Sequence, residues 1–395
     1  MSLAGAFESR ARLRPGLGCL TLPAEIADDA TPLDAAQSVD GPDGLPLLRQ
    51  PVPQPDALGE APGEAVVAAA DPQLQLALSR ALVDVPGQPA HRTKAVVVMH
   101  RGRLIAERYA PGYGVHTPVL GFSATKSLSN ALLGILVRQG RLALDQPVPL
   151  PEWQDPADPR HAITVAQLLR QTPGLDLPQD NSGFDSSAQI MYTVRDKAAA
   201  AAAAPLAVPP GSRWAYSDTN FVLLSRVMRD AAGGSTALLR LARDELFAPL
   251  GMRDVVIDVD STGTPVGASH GLASARDWAR FGQLYLDDGV KDGRRILPAG
   301  WVAMSATPTL ATGYGAGFWT NRVPGNVPGW GVPWGLARAP ADTFFARGFM
   351  GQFVVVVPSR QLVVVRLSVS SQRGDDIEAT DQLVADILAA LPPGP

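Results

Sequence analysis

Two pairs of strand-like runs stand near opposite ends of this chain, and they constrain its fold more than any other feature. Ala95-Val96-Val97-Val98-Met99 and Leu104-Ile105-Ala106-Glu107-Arg108-Tyr109 flank the short loop His100-Arg101-Gly102-Arg103. Phe353 to Val357 and Leu362 to Val369 flank Pro358-Ser359-Arg360-Gln361. Runs of this kind around a short loop read as hairpins. Each hairpin also has a helical neighbour. Leu74, Leu76, Leu78, Ala81 and Leu82 supply an apolar face before the first, and Ile377, Leu383, Val384, Ile387, Leu388 and Leu391 recur at helical spacing after the second. Strands from the two ends can pair only if both come into one sheet, so the middle must be an insertion. The expected fold is α+β: an antiparallel sheet of about five strands flanked by the terminal helices, with an inserted, mainly helical lobe. The sheet lobe is expected over 71–122 and 311–395, and the helical lobe over 123–310. Residues 1–70, rich in Pro and Gly, read as an extended arm.

Composition removes several function classes. The 395 residues are 46% hydrophobic and 18% charged, enough apolar material for a large core. With 34 basic and 38 acidic side chains, the net charge of −4 lacks the basic surface that a phosphate backbone requires. Nucleic acid is therefore not an expected partner. The single cysteine, Cys19, excludes an internal disulfide, and the five scattered histidines lack metal-ligand spacing, so neither a metal nor another cofactor is expected. No apolar run is long enough for a membrane-spanning helix. The start at Met1-Ser2-Leu3 has no signal-peptide pattern, as would also hold for an exported protein supplied without its signal.

The sharpest chemical signal is Gly121-Phe122-Ser123-Ala124-Thr125-Lys126-Ser127. Leu128, Ala131, Leu132, Ile135 and Leu136 follow as an apolar helix that should end near Gly140. Ser123 reads in isolation as the helix N-cap. Lys126 argues against that being its whole role. A capping box places Glu or Gln there, and a cation in the first turn opposes the helix dipole. Ser and Lys three residues apart share a helix face. A partly desolvated Lys near a positive helix terminus loses proton affinity and can deprotonate the hydroxyl.

Two further segments supply partners. In Tyr216-Ser217-Asp218-Thr219-Asn220, a turn and helix start account for Asp218 and Thr219 but leave Tyr216 unexplained; a tyrosine there can relay a proton. In Ala346-Arg347-Gly348-Phe349-Met350-Gly351, the glycines permit close backbone approach, so the strand edge can present an N–H to a carbonyl.

Together these segments resemble the serine-reactive penicillin-recognising family: class C β-lactamases, D-alanyl-D-alanine carboxypeptidases and related esterases and amidases. Ser123-Ala124-Thr125-Lys126 resembles its first motif. Tyr216-Ser217-Asp218 resembles Tyr-x-Asn with Asp in place of Asn, and Ala346-Arg347-Gly348 stands where the family has Lys/His-Thr-Gly. Ile163 to Leu175, Leu246 to Met252 and Ser274 to Gly282 extend the resemblance over roughly 90–390.

The resemblance implies an acyl-enzyme on Ser123, with Lys126 and Tyr216 sharing proton transfer. Asp218 or Asn220 would orient Lys126, and the N–H groups of Ser123 and Phe349 would form the oxyanion hole. Gly348, Met350, Gly351, Trp319 and Trp334 are the expected pocket residues. Ala346 lacks the motif's cation, and strand alternation turns Arg347 to the other face. The expected function is hydrolysis of small carboxylic esters or amides. A β-lactamase or D-alanyl-D-alanine carboxypeptidase is the alternative, and a non-catalytic penicillin-binding protein is a second. The family is often exported, which makes a periplasmic or membrane-associated setting the preferred expectation over a cytoplasmic one. An α/β-hydrolase is disfavoured because Gly121-Phe122-Ser123-Ala124-Thr125 lacks the second Gly of Gly-x-Ser-x-Gly.

Overall fold

Six antiparallel strands form the main sheet of the computed structural model. In chain order they are β1 (Ala95–His100), β2 (Arg103–Tyr109), β3 (Trp319–Thr320), β4 (Phe344–Gly348), β5 (Gln352–Val357) and β6 (Leu362–Leu367), and their order in space is β3-β4-β5-β6-β1-β2. The structure describes residues 65–180, 182, 184–370, 372 and 374–392. It also describes the backbone of two short antiparallel pairs, Ser2–Leu3 with Phe7–Glu8 and Arg10–Arg14 with Gly18–Leu22. The rest of the extended arm expected over 1–70, apart from residues 65–70, lies outside the described residues.

The joint expected between the two ends of the chain is β6 against β1, where Leu362 stands opposite His100 and Leu367 opposite Ala95. The sheet has one strand more than expected because the two-residue β3 pairs with β4, Trp319 opposite Phe345. Every residue of β5 and β6 is buried, so these strands read as continuous apolar runs covered on both faces. Gln352 and Arg366 are their only polar members.

Helices α1 (Pro72–Ala81), α6 (Ala275–Leu286) and α7 (Asp375–Ala390) cover the sheet. Helix α6 lies on the face that carries Val354 and Val363: a Cβ added to its Gly282 would meet the side chains of both. An aromatic series, Phe281–Tyr285–Phe318–Phe344, with centroid separations of 5.1, 4.5 and 5.7 Å, continues this packing to β4. On the opposite face α1 packs against α7. Arg366 there donates to the Asp376 carbonyl and the Thr380 hydroxyl of α7, and burial pushes its pKa down to about 10. A buried carboxylate, Glu107, pairs with Arg276 and accepts from the Val67 amide and the Tyr109 hydroxyl, tying residues 65–67 to β2 and α6.

The chain divides into two compact units. One holds the sheet (residues 51–127, 247–255 and 272–395), and the other comprises residues 1–50, 128–246 and 256–271. Residues 272–310, expected in the helical lobe, thus belong with the sheet because α6 is one of its covering layers. In the second unit, α5 (Asp218–Ala232) packs against the short helix Lys197–Ala202. The alanine tract is small because Ala198, Ala201 and Ala202 are buried there, and the Trp153 indole donates to the Ala202 carbonyl at 3.0 Å.

Gly282→Val should lower stability by about 1–3 kcal/mol, because the packed layer has no room for added methyl groups. The expected result is a lower urea midpoint with an unchanged slope.

Candidate active site

Ser123 lies in a 3₁₀ turn, Phe122–Ala124, that leads into helix α2 (Thr125–Arg138). It therefore sits in the turn that precedes α2, two residues before Thr125, and is not its N-cap. Its neighbour Phe122 has a left-handed φ of 45°, a conformation worth roughly 1–3 kcal/mol of strain that concentrates at functional sites. The i,i+3 spacing brings Lys126 Nζ to 3.1 Å from Ser123 Oγ. Lys126 is buried and Ser123 half-buried, so the pair is shielded while the hydroxyl stays reachable. One residue on, Ser127 donates to the Gly317 carbonyl at 2.6 Å and fixes the start of α2 to the segment before β3.

The turn packs against the end of β4. A Cβ on Gly348 would collide with the Gly121 carbonyl oxygen, which explains the glycine by close approach alone. The Phe122 and Phe349 rings meet edge to face, with centroids 5.8 Å apart. Phe349, Met350 and Gly351 form the loop between β4 and β5. Phe349 is 51% exposed, Met350 half-buried at φ 62°, and Gly351 at φ 101° backs onto Ser368 and Asp376.

Strand alternation separates Ala346 from Arg347. Ala346 shares the face of Gly348 and is fully buried. Arg347 turns to the other face, where it pairs with Asp376 of α7 at 3.3 Å and lies 5.8 Å from the Trp319 and Phe353 ring centres. Trp319 is therefore on the α7 face, and Trp334 is buried with its indole donating to the Val323 carbonyl at 2.8 Å. Both expected pocket tryptophans fill protein interior.

In the second unit, Tyr216 stands immediately before α5, its ring 6.2 Å from that of Trp214. A fully buried glutamine, Gln171, holds the residues on either side. Its carbonyl accepts from the Ala215 amide at 2.9 Å, and its side-chain Oε1 accepts from the Ser217 amide at 3.1 Å and from Asn220 Nδ2. Gln179 Oε1 accepts from the Asp218 amide at 2.6 Å. Asn220, one of the two residues expected to orient Lys126, thus spends Nδ2 on Gln171, while its buried Oδ1 has no partner among the described residues. Sequence reading gave no role to Gln171 or Gln179. The only signal for Gln171 was its place at the head of the Thr172-Pro173-Gly174 turn, which its own left-handed φ of 63° begins.

A profile of the Beta-lactamase family matches residues 78–389. The chain belongs to the β-lactamase family. Among its relatives, a 6-aminohexanoate-dimer hydrolase of Paenarthrobacter ureafaciens is 28% identical over 223 residues, 53% of this chain and 56% of that protein. Penicillin-binding protein 4 of Amycolatopsis lactamdurans is 28% identical over 53% of this chain and 64% of its own. The chain therefore matches somewhat more than half the length of these relatives. Among solved structures, a penicillin-binding protein homologue from Caulobacter crescentus superposes with a TM-score of 0.62, at 19% identity, over 83% of this chain and all of that one. A class C β-lactamase from Rhodobacter sphaeroides gives 0.58, at 19% identity, over 79% and 99%. At these identities the structures establish the fold.

Beside the Tyr216 segment, burial and the charge of Lys197 push His270 from 6.5 down to about 4, with Asp218 opposing the shift.

Two outcomes follow. Gly348→Ala should fold but lose most activity, because the added methyl must displace the Gly121 carbonyl two residues before Ser123; a misplacement of about 1 Å can cost on the order of a hundredfold. Steady-state kinetics beside a thermal melt checks this. For His270, the unfolded chain binds more protons than the folded one between pH 6.5 and about 4, so stability should fall as pH drops through that window. His270→Gln should flatten that part of the acid limb in urea titrations at stepped pH.

Proposed function

We propose that this protein is a serine hydrolase that forms an acyl-enzyme on Ser123 and hydrolyses small, uncharged carboxylic esters or amides. The observation that carries the reading is the 3.1 Å contact between Lys126 Nζ and Ser123 Oγ in a turn packed against the end of β4. Ser123 Oγ attacks the carbonyl carbon and its proton passes to Lys126 Nζ. The carbonyl oxygen becomes an oxyanion that accepts from the Ser123 and Phe349 amides, each such donor being worth about 10²–10³ in kcat. The bond to the leaving group then breaks, and the proton on Nζ passes to the departing alkoxide or amine. Water attacks the acyl carbon, the bond to Oγ breaks, and the carboxylic acid leaves as the proton returns to Ser123.

The case for uncharged substrates rests on the third motif. A carboxylate-bearing lactam or D-Ala peptide would meet Ala346 where the family places a cation, and Arg347 is paired with Asp376 on the other face. The missing charge-assisted hydrogen bond is worth about 1.5–3 kcal/mol, roughly ten- to a hundredfold in specificity constant. The exposed Phe349 and its partner Phe122 suit an apolar acyl chain instead. Of the expected pocket residues, Gly348, Met350 and Gly351 are kept, and the buried Trp319 and Trp334 leave the proposal.

A panel of short-chain nitrophenyl esters, simple amides, a chromogenic cephalosporin and D-Ala dipeptides tests the reading. Short-chain esters should give the largest kcat/KM, and a phosphonate should add once, on Ser123, by intact mass. A Ser123→Ala variant with full activity would remove the mechanism; a cephalosporin turned over far faster than the esters would remove the substrate class.

A further inference from the structure

Gln352 is a buried polar residue at the head of an otherwise apolar strand, only 1% exposed, and such a group is tolerated only when its hydrogen bonds are met. Here the whole side-chain amide is engaged. Nε2 donates to the Phe349 carbonyl at 3.1 Å and to the Ser368 carbonyl at 2.6 Å, and Oε1 accepts from the Ser368 amide at 3.3 Å. Ser368 in turn donates its hydroxyl to the Met350 carbonyl at 3.1 Å and to that of Gly351 at 2.9 Å, and the Ser370 amide also reaches the Met350 carbonyl, at 2.9 Å. Every carbonyl of the Phe349–Gly351 loop is therefore held from the side of β5 and β6.

The amides of the loop are treated differently. Gly351 N–H closes onto the Gly348 carbonyl at 3.3 Å. In a trans peptide that carbonyl and the Phe349 N–H point in opposite directions, so the bond also aims the N–H away from the loop. Among the described residues no acceptor takes the Phe349 N–H. The Met350 N–H is likewise without an acceptor, but the Phe349 donor is the one that adjoins Gly348, whose backbone abuts Gly121 of the Ser123 turn; a donor left open there, in a loop whose three carbonyls are all bonded, is the pattern of a pre-aimed oxyanion donor. The left-handed Met350 and the edge-to-face contact of Phe349 with Phe122 add to the case that the loop has one fixed shape.

We infer that Gln352 is a positioning residue for the reaction, its amide fixing the Phe349–Met350 peptide next to the Phe349 N–H so that this donor meets the developing oxyanion. The inference rests on the acyl-enzyme reading above and names a residue that acts through Phe349 without touching substrate. A hairpin-closing amide with only a structural role would lower stability and leave the preference for an oxyanion untouched. Thionoesters separate the two cases, because sulfur accepts hydrogen bonds weakly and gains little from the hole.

The experiment measures kcat and KM for one short-chain ester and its thiono analogue in the wild type, Gln352→Met and Ser368→Ala. Gln352→Met should lower kcat on the oxygen ester by about ten- to a hundredfold with KM little changed, since a misaimed donor loses part of the roughly 10²–10³ that one oxyanion donor carries. The thionoester should lose much less, so the ratio of oxygen-ester to thionoester rates falls. Ser368→Ala, which frees the Gly351 carbonyl and leaves that of Met350 on the Ser370 amide alone, should shift the same ratio in the same direction, and it carries the test if Gln352→Met does not fold. A ratio unchanged in the folded variants, whatever the melting temperature does, overturns the positioning role. Ser123→Ala is run alongside: full activity there overturns the acyl-enzyme reading and this inference with it, whereas an inactive Ser123→Ala with an unchanged ratio overturns the inference alone.

Discussion

The pairing of β6 with β1 is the contact on which the sheet unit depends. It joins a hairpin near the beginning of the family-matched region to one near its end, and with β4 and β5 it makes a sheet wide enough to be covered on both faces. Once that register is set, alternation along β4 is no longer free. Gly348 must approach the Ser123 turn and Ala346 must share its face, while Arg347 is sent to Asp376 on the other side. The chemistry available at the strand edge is thus decided by backbone register before any side chain is chosen.

The Ser123 turn shows the same dependence from the other direction. Its fixed points are backbone contacts and small residues: Gly121 against Gly348, and Ser127 on the Gly317 carbonyl. A titratable group enters at one place, Lys126 Nζ beside the hydroxyl. In the other unit, the Tyr216 segment is clamped by an uncharged amide, Gln171, from both sides. Positioning in both units is done by neutral hydrogen bonds, which hold geometry without adding a field that would disturb the proton affinity of a neighbouring base.

Much of this was legible in the sequence because it follows from periodicity and from short-range spacing. The two hairpins, the terminal helices, the joining of both ends in one sheet and the Ser123–Lys126 contact all belong to that class, and so does the turning away of Arg347. What escaped reading depends on contacts between residues distant in the chain. The two-residue β3 is too short to carry a pattern. The place of 272–310 follows from α6 lying on the sheet, which its own amphipathicity cannot reveal. Trp319 and Trp334 looked like cleft walls because aromatic residues in a Gly- and Pro-rich stretch have no intrinsic direction; one faces α7 and the other is bonded to Val323. Gln171 and Gln352 were invisible as anchors for the same reason. A glutamine announces its role only through the carbonyls and amides it reaches.

The β6–β1 joint also has a consequence for how the protein is made. The β1–β2 hairpin leaves the ribosome long before its partner strand exists, and Ala95 to Met99 is then an apolar, valine-rich edge with open hydrogen-bonding positions. Sheet closure must wait for Leu362–Leu367, so the nascent chain spends most of its synthesis with an exposed edge able to pair with another copy. Such non-local closure slows folding and makes yield sensitive to temperature and crowding during expression, independently of how stable the finished sheet is. Chaperone supply, more than the stability of the finished fold, should then set how much active protein a cell accumulates.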